Sequence, residues 1–252
     1  MKQMKLIQSP KNEKVKQWRK LLTKKGRDTT KSFLVEGEHL VEEALRANLI
    51  QELIVTENYY GKLAKAKYAS LEMFVISNEV AKVISDTETP QGIFSVCKQL
   101  NETNIEGSKF LLIDAVQDPG NLGTMIRTAD AAGIDAVIVG TGSVDIYNSK
   151  VIRSAQGSHF HLPVVRSELT RWINQLQQLN IPVYGTSLEN GISMYEITPS
   201  HSFALIVGNE GQGMSQELLK LTEKNLYIPI YGKSESLNVA IATGILLYYL
   251  RG

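Results

Sequence analysis

The sequence is poor in the residues that mark several specialised protein classes. Its 252 residues include a single cysteine, Cys97. One cysteine excludes a disulfide framework and a cysteine-rich zinc site. The four histidines, at positions 39, 159, 161 and 201, show no metal-ligand spacing, so no metal is predicted. With 43% hydrophobic and 21% charged residues, the composition is that of an ordinary globular protein.

Long hydrophobic runs are also absent. The most apolar stretch, residues 239–250, is interrupted by Thr243 and Gly244 and is shorter than the roughly 20 residues that span a bilayer. The basic residues at the amino terminus are followed by no apolar segment, so no secretory signal is predicted. These features, with the single cysteine, favour a cytoplasmic protein without a membrane partner.

Charge is distributed unevenly along the chain, although the net charge is only +1. Residues 1–31 hold 11 Lys and Arg against two Asp and Glu, whereas residues 32–100 and 101–252 each carry an excess of four acidic side chains. A basic segment of this kind favours a polyanionic partner such as RNA, because bound lysines release counterions from phosphates. A solvated terminus without a partner is the alternative.

The amino-terminal part of the chain is predicted to form a basic leader and a small α/β domain. Val15, Trp18, Leu21 and Leu22 recur at helical spacing, which predicts an amphipathic helix over residues 12–25 that ends before Gly26. Short strand and helix patterns then alternate over residues 32–100, with helices expected at 38–47, 58–69 and 78–84. A polar linker follows at 101–108.

The remainder, residues 109–252, is predicted to form a larger α/β domain. Apolar strands without alternation are expected at 110–116, 135–139, 181–184, 202–207 and 226–228, separated by helices. This pattern is typical of a parallel sheet covered on both faces. The last helix, 237–250, is apolar nearly all round, which predicts a buried subunit interface and therefore a homodimer.

Three segments of unusual composition follow strands of this domain, where α/β proteins bind ligands. They begin at Asp118 (DPGNLGTMIRT), Leu205 (LIVGNEGQGMS) and Ile228 (IPIYGKSESLNVAIA). Their glycines allow close backbone approach, although turn geometry is the favoured explanation for each segment taken alone. Either Ser236 or Asn238 is sufficient to cap the last helix, so one of the two is spare for function. The spacing matches neither a dinucleotide fingerprint nor a phosphate-binding loop.

Together the three segments resemble the motifs of the SpoU (TrmH) family of S-adenosylmethionine-dependent RNA ribose 2′-O-methyltransferases. The matching strings are NLGxxxRTA, VGNEGxG and SLNVA, within residues 109–251. VIRSAQGS at 151–158 resembles the segment between the first two motifs. FLVEGEHLVEEA at 33–44 resembles the start of the small RNA-binding domain that precedes many members.

The resemblance implies a fold, a cofactor and a set of site residues. The expected fold is a knotted (trefoil) parallel-sheet methyltransferase domain behind a small α/β RNA-binding domain, although chains rarely thread loops. The cofactor is S-adenosylmethionine, and the substrate is RNA, with ribosomal RNA favoured over transfer RNA. By motif, the cofactor-binding positions are Thr186, Gly208, Ile228 and Leu237. The catalytic-motif positions are Asn121, Arg127, Glu210, Ser236 and Asn238.

The reaction accounts for these residue types. A methyl sulfonium is already a strong electrophile, so the protein aligns the ribose hydroxyl and manages its negative charge. Because guanidinium is rarely deprotonated, Arg127 is interpreted as a clamp on a neighbouring phosphate and as the stabiliser of the forming alkoxide. Glu210, or water held by it, is the candidate proton acceptor. The alternatives are a transfer-RNA methyltransferase and a non-catalytic RNA-binding protein. A nucleotide-binding oxidoreductase would need a glycine fingerprint that is missing.

Overall fold

The computed structural model describes residues 5–100, 105–189 and 191–252. The first four residues of the predicted leader and residues 101–104 of the predicted linker lie outside this part. The described residues of Met1–Leu100 and Tyr147–Phe160 form one compact unit, and those of Asn101–Ile146 and His161–Gly252 form a second. No helix in the described ranges is long and apolar enough to cross a membrane.

The first unit is built on a mixed five-stranded sheet in the order β1-β4-β3-β5-β2. Strands β1, β4 and β3 are parallel, whereas β5 runs antiparallel to both β3 and β2. The strands are β1 (Lys5–Ile7), β2 (Ser32–Glu36), β3 (Ile50–Thr56), β4 (Glu72–Ile76) and β5 (Ile93–Lys98). The helices are α1 (Glu13–Lys20), α2 (Lys24–Thr30), α3 (Glu38–Arg46), α4 (Glu57–Tyr60), α5 (Asn78–Ile84) and α7 (Ser149–Ala155).

The basic leader differs from the prediction, because it is part of this first unit. The single helix expected over 12–25 is two helices, since Asn12 caps α1 and Thr23 caps α2 by accepting from the amide of Gly26. Gly26 therefore lies inside the second helix. Trp18 is 1% exposed and packs edge-on against Phe74, 5.2 Å between ring centres. Val15, Trp18 and Leu21 are thus core, whereas most of the described lysines of the leader are exposed.

Two further boundaries differ from the sequence interpretation. Residues Tyr147–Phe160, expected in the larger domain, belong to the first unit, where Tyr147 packs on Phe33 at 4.6 Å. The helix expected over 58–69 is replaced by the short α4 and a 3₁₀ turn at Lys65–Tyr68. Gly61 ends α4, and burial of Tyr68 holds the turn against the core.

The second unit contains a seven-stranded sheet in the order β10-β12-β9-β11-β6-β7-β8, with every pairing parallel. The prediction of a buried parallel sheet is confirmed. Its strands are β6 (Lys109–Ile113), β7 (Ala136–Val139), β8 (Val164–Arg166), β9 (Val183–Thr186), β10 (Ile192–Ser193), β11 (Phe203–Val207) and β12 (Lys224–Tyr227). Its helices are α6 (Pro119–Ala131), α8 (Leu169–Gln178), α9 (Gln216–Leu219) and α10 (Val239–Arg251).

Strand β6 is shorter than the predicted 110–116, and this places the loop before α6. Pairing to β11 ends near Ile113, although the amide of Asp114 still donates to the carbonyl of Val207 at 2.8 Å. The chain then turns, so Ala115 and Val116 are loop residues rather than strand. Helices α6 and α10 pack together, with Gly244 facing Thr128 closely enough that an added Cβ would lie 3.4 Å from its methyl group.

Candidate active site

The three sequence segments follow strands at the carboxyl edge of the second sheet. The first runs from the end of β6 into α6, the second leaves β11, and the third links β12 to α10. Strands β12, β9, β11 and β6 are consecutive neighbours in the sheet. Parallel neighbours end at the same edge, so the loops that follow them meet there.

Glu210 is the hub of the contacts between the first two segments. One carboxylate oxygen, Oε1, accepts from the amide of Asp118 and from Nδ2 of Asn121, both at 3.1 Å. The other, Oε2, accepts from the amide of Gln117 at 3.3 Å. Asp118 caps α6 by accepting from the amide of Asn121 at 2.8 Å, which fixes the start of the helix.

These contacts determine the protonation state of Glu210. Partial burial by itself raises the pKa of Glu210, but hydrogen bonds from its own backbone amide, from Asn121 and from the amides of Asp118 and Gln117 outweigh it. The net effect lowers the pKa of Glu210 below its ordinary value. Glu210 is therefore a carboxylate at neutral pH, and a weakened base.

Asn238 joins the third segment to the first. Its Nδ2 donates to Oδ1 of Asn121 at 3.0 Å, while its Oδ1 caps α10 by accepting from the amide of Ala240 at 2.9 Å. Asn121, Glu210 and Asn238 thus form a continuous hydrogen-bonded chain across all three segments. The question left by the sequence is resolved, because Asn238 is the cap and Ser236 is not.

Arg127 and Ser236 lie outside this hydrogen-bonded chain. Arg127 is an exposed residue of α6, six positions after Asn121, and within the described ranges its guanidinium makes no ion pair. Ser236 is also exposed, and its carbonyl accepts from the hydroxyl of Ser234 at 2.8 Å. Both side chains remain free to contact a substrate.

Three of the four predicted cofactor positions lie at adjoining strand ends. Thr186 ends β9, and its hydroxyl donates to the carbonyl of Ile206 at 3.2 Å. Gly208 follows β11 and Ile228 follows β12. The fourth, Leu237, is 38% exposed just before α10.

Gly208 is packed against its own loop. A Cβ added there would lie 2.2 Å from the carbonyl carbon of Gly213 and from the amide nitrogen of Met214. Both are backbone atoms, so they cannot swing aside as a side chain would. Glycine is therefore required at 208, because the 209–213 loop folds back against this residue. The two ends of the loop are paired through Asn209 and Gly213.

The segment at 228–237 fits a ligand held by main-chain groups. In the part of the chain that the structure describes, none of these ten residues forms a backbone-to-backbone hydrogen bond. Residues 231–237 are all exposed. Amides and carbonyls that have no main-chain partner, beside apolar Ile228 and Leu237, suit a flat heteroaromatic ring with a polar edge, such as adenine.

Sequence reasoning passed over one residue that the structure places at this edge. Asp114 accepts from the amide of Ser215 through Oδ2 at 2.8 Å, a second tie between the β6 and β11 loops. The strand was expected to continue through residue 116, so Asp114 was treated as part of an apolar strand. An acidic residue directly after the four apolar residues 110–113, which are buried in β6, could have indicated that the strand ends there.

The fold and the site define an α/β transferase class, the S-adenosylmethionine-dependent RNA 2′-O-methyltransferases, and comparison with known proteins agrees. A family model described as the SpoU rRNA Methylase family matches residues 108–248, and one described as an MRM3-like substrate binding domain matches residues 12–95. The chain belongs to the SpoU rRNA methylase family. It uses S-adenosylmethionine as its methyl donor, as the resemblance predicted.

Individual relatives cover nearly the whole chain. The 23S rRNA (guanosine(2553)-2′-O)-methyltransferase RlmP of Bacillus subtilis is 52% identical over 250 residues, covering 99% of this chain and all of that protein. A crystal structure of an AdoMet-bound rRNA methyltransferase from Sinorhizobium meliloti has a TM-score of 0.88 at 32% identity, covering 98% of this chain and 97% of its own. The AdoMet complex of AviRb from Streptomyces viridochromogenes has a TM-score of 0.85 at 26% identity, covering 95% and 97%.

Proposed function

We propose that the chain methylates the ribose 2′-hydroxyl of one guanosine in 23S ribosomal RNA, the nucleotide that corresponds to the one in the name of the Bacillus subtilis relative. The main support for this proposal is the 52% identity over essentially the full length of both proteins. In addition, hydrogen bonds connect Glu210 to Asn121 and Asn121 to Asn238. Such an enzyme acts where ribosomes are assembled, in the cytoplasm.

The cofactor is proposed to lie over the ends of β9, β11 and β12. Thr186, Gly208, Ile228 and Leu237 would hold its adenosine. The main chain of residues 228–237, which forms no backbone-to-backbone hydrogen bond among the described residues, supplies hydrogen-bonding groups for it. We propose that the chain here is knotted, as the family resemblance implies. The contacts of the last helix, α10, with both α6 and β11 are in keeping with this topology.

S-adenosylmethionine supplies a methyl group on a positively charged sulfur. The chain must then orient the ribose hydroxyl, stabilise the oxygen as its negative charge develops, and provide an acceptor for the hydroxyl proton, which we propose is a water held at the site. We propose that Arg127, exposed and without an ion pair among the described residues, binds the phosphate beside the target ribose and stabilises the forming alkoxide. Ser236 is proposed to contact the ribose itself.

Glu210 is proposed to be a positioning residue, a change from its interpretation as a proton acceptor. Its carboxylate holds the loop before α6 through two backbone amides and Asn121. Because these bonds lower its pKa, they also make it a poorer base than an ordinary glutamate. Asn121 and Asn238 are proposed to extend the same scaffold toward the substrate.

The active unit is proposed to be a homodimer that buries one face of α10. Ile241, Ile245 and Tyr248 are 56%, 37% and 54% exposed. Spaced four and three residues apart, they form one apolar stripe on the helix. A symmetric dimer would place this stripe against its own copy.

The first unit is proposed to dock the RNA through the charged face of the leader. Lys14 and Lys16 are already paired with Glu52 and Glu13. Six other cations of the leader are exposed and make no ion pair within the described ranges, which leaves them available for phosphates: Lys11, Arg19, Lys20, Lys24, Lys25 and Lys31.

Transfer of labelled methyl groups from S-adenosylmethionine to purified RNA tests the proposal. We expect label to enter 23S rRNA from a strain that lacks this protein, at one guanosine ribose, and not 23S rRNA from the parent, which is already modified. Label in transfer RNA but not in 23S rRNA would instead support the transfer-RNA alternative. Absence of label in both, with RNA binding intact, would support a non-catalytic RNA-binding protein.

A further inference from the structure

Ala115 has an unusual backbone conformation at the edge of the candidate active site. Among the described residues, five that are not glycine have a positive φ. Four of them lie one or two residues after a helix, where a left-handed residue commonly ends the helix: Lys31, Asn48, Gln156 and Asn180. Ala115, with φ of 56°, instead lies between β6 and α6. Alanine has no polar side chain to favour this conformation locally, so something outside the residue must hold it.

The side chain of Asn209 contacts Ala115 directly. Its Nδ2 donates to the carbonyl of Ala115 at 2.8 Å and makes a longer contact of 3.5 Å to Oε2 of Glu210. Its Oδ1 accepts from the amides of Gly211 and Gln212, at 2.9 and 3.0 Å. One planar amide group thus joins the turn after β6 to the loop after β11. The methyl group of Ala115 faces Gly142, where an added Cβ would lie 3.1 Å away.

The conformation at Ala115 determines where the catalytic loop starts. Two residues later, the amides of Gln117 and Asp118 point at the carboxylate of Glu210. A residue that left the left-handed region would rotate the following peptides and move these donors. The hydrogen bond from Asn209 to Ala115 therefore helps to place the backbone amides that bind Glu210, and with them the position of Asn121.

We propose that Asn209 is a positioning residue for methyl transfer, which clamps Ala115 in its left-handed conformation and so orients the loop that carries Asn121. The proposal rests on the proposed methyltransferase function, and it assigns Asn209 no contact with substrate or cofactor. It predicts a rate effect that can be separated from folding and from cofactor binding.

The first test compares Asn209→Ala with a matched side-chain amide elsewhere in the second unit. Gln177 also donates to a backbone carbonyl, that of Leu221 at 2.8 Å, but both residues precede the amino ends of strands, Gln177 before β9 and Leu221 before β12. We expect Asn209→Ala to lower the single-turnover rate at saturating RNA and cofactor by about 10- to 100-fold, the effect of a small misplacement. Gln177→Ala should leave that rate unchanged.

The second test uses glycine at 115 to relieve the strain. Glycine adopts positive φ without steric cost, so Ala115→Gly should leave the wild-type rate nearly unchanged. In the Asn209→Ala background the same change should recover several-fold of the lost rate. If Asn209→Ala does not fold, Asn209→Asp replaces it. This variant keeps the acceptor for Gly211 and Gln212 and removes the amide donor, which serves Ala115 and, at 3.5 Å, Oε2 of Glu210. Recovery of the rate by Ala115→Gly then separates the loss of the Ala115 contact from the loss of the Glu210 contact.

Two results would overturn the proposal: an unchanged single-turnover rate in the folded Asn209 variant, or an equal effect of Ala115→Gly in both backgrounds. A structural readout separates this failure from failure of the proposed function. The Cα chemical shift of ¹³C-labelled alanine at 115 reports its φ without any RNA, and we expect it to move in the Asn209 variant. A shift that stays in place would contradict the clamp even if methylation of 23S rRNA is confirmed.

Discussion

At the scale of single residues, the site separates into side chains that are held and side chains that are free. Asn121 is hydrogen-bonded to both Glu210 and Asn238, and Asn238 also caps α10. Arg127 and Ser236 are exposed. The sequence motifs pointed to all five, but residue types alone did not separate scaffold from contact group. That separation depends on distances between loops far apart in the chain.

Replacing Arg127 tests whether it acts in chemistry or only in binding. Arg127→Ala should lower the single-turnover rate at saturating RNA and cofactor by about 100-fold or more, the usual loss when one donor to a developing anion is removed. RNA affinity should fall only by the small amount expected for the loss of about one phosphate contact. Arg127→Lys keeps the charge but loses the forked geometry, so we expect an intermediate rate. A near-normal rate in Arg127→Ala would contradict a role in the reaction.

Glu210→Gln tests the lowered pKa of the hub. Because the pKa of Glu210 is lowered in the folded state, its carboxylate stabilises the fold above its unfolded pKa and ceases to do so as the pH falls through the folded value. The melting temperature of Glu210→Gln should therefore lie below wild type at pH 7, and the gap should narrow below about pH 4. A gap that does not change with pH would show that the charge has no part in holding the loop.

At the scale of elements, the sequence predicted the second unit better than the first. Buried parallel strands read as continuous apolar runs, and Asp118-Pro119 marks the start of α6. The helices expected at 12–25 and 58–69 were wrong because apolar spacing does not show where a chain turns. In the leader, two capping side chains, Asn12 and Thr23, divide the pattern into two helices.

The glycine after β11 offers a sharp comparison within one loop. Gly208→Ala would place a methyl group 2.2 Å from the backbone of Gly213 and Met214, so the loop must move. Gly211→Ala meets only Oδ1 of Asn209 at 3.7 Å, an ordinary contact. By calorimetry, Gly208→Ala should lose S-adenosylmethionine binding and Gly211→Ala should keep it. Equal affinities would exclude a requirement for close packing at 208.

The apolar stripe on α10 tests the proposed dimer. Changing Ile241 and Ile245 together to lysine should give a monomer by light scattering at micromolar concentration, because charges would be buried in the interface. Leu179→Lys is the control, since Leu179 is 67% exposed on the second unit but lies outside the stripe. A wild-type chain that is monomeric, or a double variant that stays dimeric, would contradict the interface.

At the scale of the whole molecule, the charge pattern predicted a nucleic-acid partner but not the structural role of the leader. Trp18 and Val15 are buried in the first unit, so removing the leader would unfold the docking unit rather than test it. The placement of Tyr147–Phe160 in this unit could not be predicted from the sequence either, because it depends on contacts with Phe33, which is more than 100 positions earlier in the chain.

Charge reversal on the leader tests RNA docking without this damage. Lys24→Glu with Lys25→Glu should weaken RNA binding and flatten its salt dependence, yet leave the single-turnover rate at saturating RNA unchanged. Lys82→Glu with Lys98→Glu makes the same change in charge at two exposed positions of the same unit. If both pairs weaken binding equally, the leader holds no special docking surface.

The central claim is most directly tested by mapping ribose methylation across the RNA of a strain that lacks this protein. We predict that a single 23S rRNA guanosine loses its 2′-O-methyl group, that the wild-type chain restores it, and that Arg127→Ala expressed at the same level does not. Unchanged methylation throughout 23S rRNA, with loss of a ribose methyl group from a transfer RNA, would contradict the assignment.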